Sequence, residues 1–124
     1  MFYNCTNLTI FSSDLSSLTN GEGMFRDCSN LTSFCGDLSN LTDGSGMFEH
    51  CSNLTLLSSN TCGEDVNLSS LAYGYCMFDR CTNLTSFTSD LPSLTDAENM
   101  FSNCTNLTIF SSNLSSLTNG AGMF

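Results

Sequence analysis

The apolar residues of the chain recur at a fixed interval. The pair Met-Phe opens each unit, and successive pairs are 23, 23, 30, 23 and 23 residues apart, beginning at Met1, Met24, Met47, Met77, Met100 and Met123. Counted from each methionine, apolar residues stand at positions 1, 2, 5, 8, 11, 15 and 18, with polar or small residues between them. Such a short unit cannot form a core alone, so the pattern predicts units stacked on one continuous core, as in a solenoid.

This pattern predicts a single solenoid segment built from five coils. The coils are residues 1–23, 24–46, 47–76, 77–99 and 100–122, and residues 123–124 begin a sixth. Coil 3 is longer because it contains a seven-residue insertion, residues 60–66. Neither end has a polar capping unit, which a free solenoid needs. We therefore expect a segment of a longer repeat protein, or a subunit whose ends neighbouring chains cover in a filament.

Each coil is expected to hold one short strand and several turns. Positions 8–11 (Leu-Thr-x-Phe) are rich in threonine and aromatic residues and predict a strand that stacks in parallel with its equivalents. Positions 14–19 are expected to be extended or turn-like, and the small residues at positions 21–23 to form a corner. Met-Phe-x-x-Cys suits one helical or 3-10 turn. The fold class is then an α/β solenoid, with an all-β parallel β-helix as the alternative.

Three positions of the unit carry a resemblance to a known family. The run Met-Phe-x-x-Cys-x-x-Leu-Thr, followed by Leu-x-x-Leu-Thr-x-Gly, resembles the BspA-like leucine-rich repeats of bacterial and protist surface proteins. It rests on Phe2, Cys5, Leu8 and their equivalents along the whole chain. It is most similar to the variant common in mycoplasma surface lipoproteins, but with a slightly shorter period and an insertion. The resemblance implies a leucine-rich-repeat-like fold, an extracellular or cell-surface location and, in some members, adhesion to host proteins; it implies no catalysis.

Three coil positions predict ladders of identical side chains along the stack. Position 2 predicts a core aromatic ladder of Phe2, Phe25, Phe48, Phe78 and Phe101. Position 5 predicts a buried cysteine ladder of Cys5, Cys28, Cys51, Cys81 and Cys104. Position 7 carries Asn7, Asn30, Asn53, Asn83 and Asn106, each within an Asn-Leu-Thr triplet. These asparagines predict either a ladder of side-chain hydrogen bonds or N-glycosylation.

The remaining three cysteines lie outside the ladder. Cys62 is in the insertion, which leaves coil 3 beside position 12 of coil 2, where Cys35 stands. The candidate disulfide is therefore Cys35–Cys62, and Cys62–Cys76 is the rival pair. Either bond favours an oxidising environment outside the cell.

The charge of the chain excludes several classes of partner. Twelve carboxylates face only Arg26 and Arg80, there is no lysine, and the formal net charge is −10. Such a chain cannot neutralise the phosphates of nucleic acid or bind an anionic membrane by charge. Apolar runs of two or three residues predict no membrane span.

The polar positions offer no catalytic constellation. Positions 3 and 4 vary freely and indicate a solvent face, on which we expect Arg26 to pair with Glu49 and His50 to lie near Asp27 and Arg80. No nucleophile accompanies the histidine, so we expect no enzyme. Position 14 predicts either turn capping or a calcium ladder, with capping preferred, at Asp14, Asp37, Asn67, Asp90 and Asn113. No metal or cofactor site is predicted.

Three functions follow from this pattern. The first is a non-enzymatic, extracellular structural or adhesive surface element. The second is a self-assembling filament subunit that stacks head to tail, and the third is a virus or phage fibre module that binds a host surface. The expected partners are the chain's own neighbouring coils or chains through end-to-end stacking, and a host protein or glycan.

Overall fold

One short strand lies in each coil. The computed structural model describes residues 1–59 and 63–124, and within these ranges the regular structure is five β-strands without a helix. The strands are β1 (Ile10–Ser12), β2 (Ser33–Cys35), β3 (Leu56–Ser58), β4 (Ser86–Phe87) and β5 (Ile109–Phe110). Each strand begins at coil position 10, directly after the Leu-Thr pair at positions 8 and 9 of its own coil.

Neighbouring coils lie parallel to one another and in register. Strands β1, β2 and β3 form one parallel sheet, and β4 and β5 form another. Equivalent positions are partners, so Ile10 lies opposite Ser33 and Phe11 lies opposite Phe34. Because strand side chains alternate, position 10 points outward and position 11 inward. Ile10 is 64% exposed, whereas Phe34 is fully buried.

A second side of the coils is joined by single β-bridges. These bridges link position 20 of all five coils in parallel, through Asn20, Asp43, Tyr73, Asp96 and Asn119. The bridge from Asp43 to Tyr73 spans the longer coil, so the insertion does not interrupt this side. The coils are therefore continuous here even though the strand side is divided into two sheets.

The third side, at positions 1–5, is a series of separate turns. Arg26 N donates to Gly23 O at 3.2 Å, and Cys28 N donates to Phe25 O at 3.1 Å. The amide between them bonds the next coil instead, from Asp27 N to Glu49 O at 2.9 Å. A single helical or 3-10 turn is expected here, and the bonds to Gly23 and Phe25 each join residues three apart, as in one such turn. Because the alternate amides donate to the neighbouring coil, the turns do not continue into a helix.

Phenylalanine rings fill the interior between the three sides. The ring of Phe48 stacks on those of Phe25 and Phe78, with centroids 5.5 Å away in both directions. Phe34, from position 11, meets Phe48 edge to face at 5.0 Å. These four side chains are fully buried. Offset-stacked and edge-to-face contacts add to the burial of the rings, so the aromatic ladder is a main source of cohesion between coils.

The insertion separates β3 from β4. After the residues that lie outside the described part, Asp65 forms an antiparallel bridge with Ser58, and its Oδ2 accepts a hydrogen bond from Thr88 Oγ1 at 2.7 Å. Val66 is 3% exposed and belongs to the core. The end of the insertion is thus attached to coils 3 and 4, the coils that contain β3 and β4.

Candidate binding site at coil positions 3 and 4

The thiols at position 5 are buried in coils 2, 3 and 4 and half-buried in coils 1 and 5. Those of coils 2 to 5 act as hydrogen-bond donors. Cys51 is fully buried and its Sγ donates to Phe25 O of the preceding coil at 3.1 Å. Equivalent bonds of 3.0, 3.2 and 3.1 Å run from Cys28, Cys81 and Cys104 to Phe2, Phe48 and Phe78. Burial raises the pKa of Cys51 to about 12. These groups therefore stay protonated, which makes them structural donors and poor nucleophiles.

The cysteines outside the ladder differ from one another. Cys35 is disulfide-bonded. The partner expected for it, Cys62, lies outside the described residues, so the Cys35–Cys62 bond stays a prediction. Cys76 is a free thiol, which disagrees with the rival pair Cys62–Cys76.

The asparagines at position 7 form hydrogen bonds between coils. Asn53 Nδ2 donates to Asn30 Oδ1 at 3.3 Å, and Asn83 Nδ2 donates to Asn53 Oδ1 at 3.2 Å. Asn106 Nδ2 donates instead to the backbone oxygen of Thr82 at 2.8 Å. In coils 2 to 5 the amide nitrogen that would carry a glycan thus uses one of its two N–H groups in the coil-to-coil contact.

The side chains at position 14 cap local turns. Asp14 Oδ1 accepts a hydrogen bond from Ser16 N at 2.8 Å. The Ser16 hydroxyl and, to a smaller extent, this amide lower the pKa of the carboxyl group. The same bond recurs in coils 2, 3 and 5. In coil 4 the donor position is occupied by Pro92, which has no N–H. There Asp90 Oδ1 accepts from Asn113 N of the next coil at 2.8 Å.

The basic side chains of the chain gather in one place. The sequence contains two arginines, one histidine and no lysine. Arg26, His50 and Arg80 stand at positions 3 or 4 of coils 2, 3 and 4, in a column that also contains acidic residues. On a chain with a net charge of −10, the part of this column in coils 3 and 4, with His50 and Arg80, is the candidate site.

Ion pairs join this column across the coils. Arg26 Nη2 lies 3.1 Å from Glu49 Oε1, as the sequence led us to expect. His50 Nδ1 lies 2.7 Å from Asp27 Oδ1, and this contact assigns the ring proton to Nδ1 in the neutral imidazole. His50 Nε2 is 3.8 Å from Glu49 Oε1, beyond hydrogen-bond distance. Since these groups are partly exposed, each pair stabilises the fold by about 0–1 kcal/mol.

Glu49, His50 and Asp79 are the described residues whose arrangement most nearly resembles a metal site. Their ligand atoms lie within 4.8 Å of one another. However, Arg26 already pairs with Glu49, and Arg80 Nε lies 3.8 Å from Asp79 Oδ2. Because a guanidinium group neighbours each carboxylate, the cluster is better described as an ion-pair network than as a metal site.

An open depression lies beside this network. It has a volume of about 490 Å³ and spans coils 3, 4 and 5. Position 4 contributes one row to its lining and position 6 a second row of hydroxyl groups; the residues are His50, Arg80, Asn103, Ser52, Thr82 and Thr105. The Arg80 side chain is 61% exposed, and among the described residues its nearest acidic contact is the one with Asp79.

The residues at position 4 share an unusual backbone conformation. The five residues there all have left-handed φ angles between 56° and 63°: Asn4, Asp27, His50, Arg80 and Asn103. Asparagine, aspartate and histidine occur in this region more often than other side chains, whereas arginine is strained there by roughly 1 kcal/mol. The sequence predicts a freely varying solvent face at position 4 and does not predict the depression. The one available sign is that Arg26, His50 and Arg80 all stand at position 3 or 4.

Comparison with known proteins adds a family. Within the described residues, no helix is long and apolar enough to cross a membrane. Searches of curated proteins and of solved structures gave no significant match. A family model described as "Mycoplasma protein of unknown function, DUF285" matches residues 1–116. Since the match covers nearly the whole chain, the protein belongs to this DUF285 family.

Proposed function

We propose that the chain is a solenoid of the BspA-like leucine-rich-repeat kind and acts as a non-enzymatic adhesive element outside the cell. Parallel, in-register pairing of equivalent positions supports the solenoid. The Met-Phe-x-x-Cys-x-x-Leu-Thr spacing supports the family, and a disulfide-bonded Cys35 supports an oxidising location. Strands on one side and bridges on another favour an all-β description over an α/β one.

The observation that carries the adhesive role is the depression lined by Arg80 and His50. Most apolar side chains are used in the core, and the asparagines at position 7 are used between coils. The rest of the lateral surface is mostly polar or acidic, with exposed apolar side chains such as Ile10, Leu56 and Ile109 on the strand side. The arginines and the histidine lie in this column. A rigid stack holds such side chains at fixed spacing, which suits recognition without catalysis.

A binding assay with two arginine variants tests this proposal. The chain is immobilised and exposed to host extracellular-matrix proteins and to a glycan panel, with interferometry as the readout. We expect at least one ligand to bind, and Arg80→Asn to weaken binding. Arg26→Ser removes the same charge outside the depression and should bind as the wild type does. Binding that is unaffected by Arg80→Asn, or no binding to either panel, contradicts adhesion through this site.

Head-to-tail stacking of chains is a second candidate function. Core residues of coils 1 and 5, such as Phe2, Leu8 and Leu107, are only partly buried, whereas Leu31 and Leu54 in coils 2 and 3 are fully buried. A second copy that continues the register would cover them. We expect sedimentation to show oligomers that Leu107→Asp abolishes; a monomer at all concentrations contradicts this candidate. The fibre-module alternative stays a prediction.

A further inference from the structure

We propose that the depression between coils 3, 4 and 5 binds a sugar that carries a single carboxylate group. Arg80 holds the carboxylate, and the position-6 hydroxyls with His50 and Asn103 accept hydrogen bonds from the sugar hydroxyls. This inference rests on the proposed adhesive function and names the ligand class of the same site.

Arg80 is the available cation. Its side chain is 61% exposed, and its closest acidic neighbour among the described residues is Asp79, with Oδ2 at 3.8 Å from Nε. Arg26, in contrast, already lies 3.1 Å from Glu49. A planar guanidinium fork matches a carboxylate with two parallel hydrogen bonds, which is stronger and more specific than a single contact. The free side of Arg80 therefore favours a carboxylate.

The hydroxyl row has acceptor capacity left over. Ser52 Oγ donates to Ser29 O at 3.4 Å, and Thr82 Oγ1 donates to Ser52 O at 3.2 Å. Each of these hydroxyl groups donates its proton to the preceding coil, so its oxygen lone pairs remain available to accept hydrogen bonds from a ligand. Thr105 stands next in the same row. A ligand that fits this row must bring donors of its own, as a sugar does.

His50 and Asn103 add two further hydrogen-bond acceptors to the depression. His50 Nδ1 donates to Asp27 Oδ1 at 2.7 Å, which leaves Nε2 as an acceptor in the neutral ring. Asn103 Nδ2 donates to Asp79 Oδ1 at 3.1 Å, which leaves its carbonyl oxygen as an acceptor. The site thus offers one cationic donor group surrounded by acceptors. A carboxylated pyranose has the opposite arrangement, one acidic group surrounded by hydroxyl donors.

The surrounding charge limits how acidic the ligand can be. Glu49 and Asp79 flank the depression, and the whole chain carries a net charge of −10. This field repels polyanions such as sulfated polysaccharides and nucleic acids, whose binding depends on many cations. One carboxylate can be balanced by Arg80, but a dense row of charges cannot. The volume of about 490 Å³ is in the usual range for a small ligand.

The test uses titration of the chain with four soluble probes. Sialyllactose and a glucuronate-terminated oligosaccharide carry the carboxylate from two different sources, lactose lacks it, and heparin carries many sulfates. Chemical-shift changes and calorimetry report the affinity. We expect one or both carboxylated probes to bind, and lactose and heparin to bind at least about tenfold more weakly, because one charge-assisted Arg–carboxylate contact is worth about that factor.

Two variants separate the site from general charge effects. Arg80→Asn places at position 4 the residue that coils 1 and 5 already have, so the fold is retained, and affinity should fall about tenfold or more. Arg26→Ser makes the same change in net charge outside the depression, and affinity should stay within about twofold. Circular dichroism and unfolding midpoints confirm that both variants are folded.

Several results would overturn the inference. These are equal affinity for lactose and sialyllactose, tighter binding of heparin than of either carboxylated probe, and equal losses in the two arginine variants. Failure of both carboxylated probes also overturns it. If a host protein still binds in an Arg80-dependent way, only the ligand class is wrong; if no ligand of any kind binds, the adhesive function is wrong as well.

Discussion

At the scale of single residues, the thiols at coil position 5 combine packing with hydrogen bonding. Cys51 fills a fully buried position and donates to Phe25 O at 3.1 Å. A serine there would bury a more polar group, and an alanine would leave the carbonyl without this donor. Cysteine supplies a small apolar volume with a weak donor, so its recurrence does not require redox chemistry.

These thiols predict a loss of stability at alkaline pH. The pKa of Cys51 is about 12 in the folded chain, against 9.0 for a free thiol. Between these values the unfolded chain binds fewer protons than the folded one, so the free energy of unfolding falls as pH rises, by up to about 1.4 kcal/mol per pH unit for such a thiol. Urea unfolding measured between pH 9 and 12 should show this fall, and Cys51→Ala should show a shallower one. An unchanged slope in the variant contradicts the assignment.

Position 4 predicts a substitution that stabilises the chain. Arg80 has φ 61°, in the left-handed region that asparagine tolerates better. Arg80→Asn should therefore raise the free energy of unfolding by about 1 kcal/mol, while it weakens the proposed ligand binding. The reverse change Asn4→Arg, at the same coil position and φ 56°, should lower it. Urea unfolding at neutral pH checks both; a destabilised Arg80→Asn would show that the backbone strain is not the controlling effect.

At the scale of the structural element, the aromatic ladder predicts unequal losses along the chain. Phe48→Ala removes a fully buried ring that stacks on both neighbours, so we expect a loss of about 3–5 kcal/mol. Phe2 is only partly buried and has one stacking neighbour, Phe25, so Phe2→Ala should cost less. Chemical denaturation of the two variants measures the difference. Equal losses of stability would mean that the burial of a ring and the number of its stacking neighbours do not determine its contribution.

The elements also show what a sequence can predict here. The 23-residue period identifies the positions that are buried, because each coil repeats the same surroundings for Phe25, Phe48 and Phe78. The turns at positions 1–5 were harder to predict, because their alternate amides bond a coil 22 or more residues away. Local propensity contains no signal for that contact. Pro92 shows the same limit, since its missing N–H redirects Asp90 to the next coil.

The candidate site could be predicted only in part, for a related reason. The pairing of Arg26 with Glu49 follows from their shared coil position, and it was expected. The depression needs side chains from three coils, at two positions that no single coil displays together. Its acceptor character depends on which hydroxyls have already donated to the coil below, as Thr82 does. Such information exists only once the coils are stacked.

At the scale of the whole molecule, acidic self-repulsion predicts a stability that rises with salt. Twelve carboxylates are opposed by two arginines, and Asp14 and Asp37 occupy the same position of adjacent coils, whose strands are about 4.8 Å apart. Raising NaCl from about 20 mM to about 0.5 M shortens the screening length from roughly 20 Å to about 4 Å, which weakens repulsion across several coils. The free energy of unfolding should therefore increase over this range.

A variant that lacks one carboxylate distinguishes two effects of salt. One is the screening of repulsion between carboxylates, and the other is the general strengthening of apolar burial. Asp37→Asn keeps the turn cap, because Asn67 and Asn113 make the same bond at this position, but it removes one repelling charge. It should be more stable than the wild type at low salt and respond less to added NaCl. An equal response in both proteins would assign the salt effect to apolar burial. If the variant behaves as expected, the acidic field that lowers stability is the same field that restricts the Arg80 depression to ligands with few negative charges.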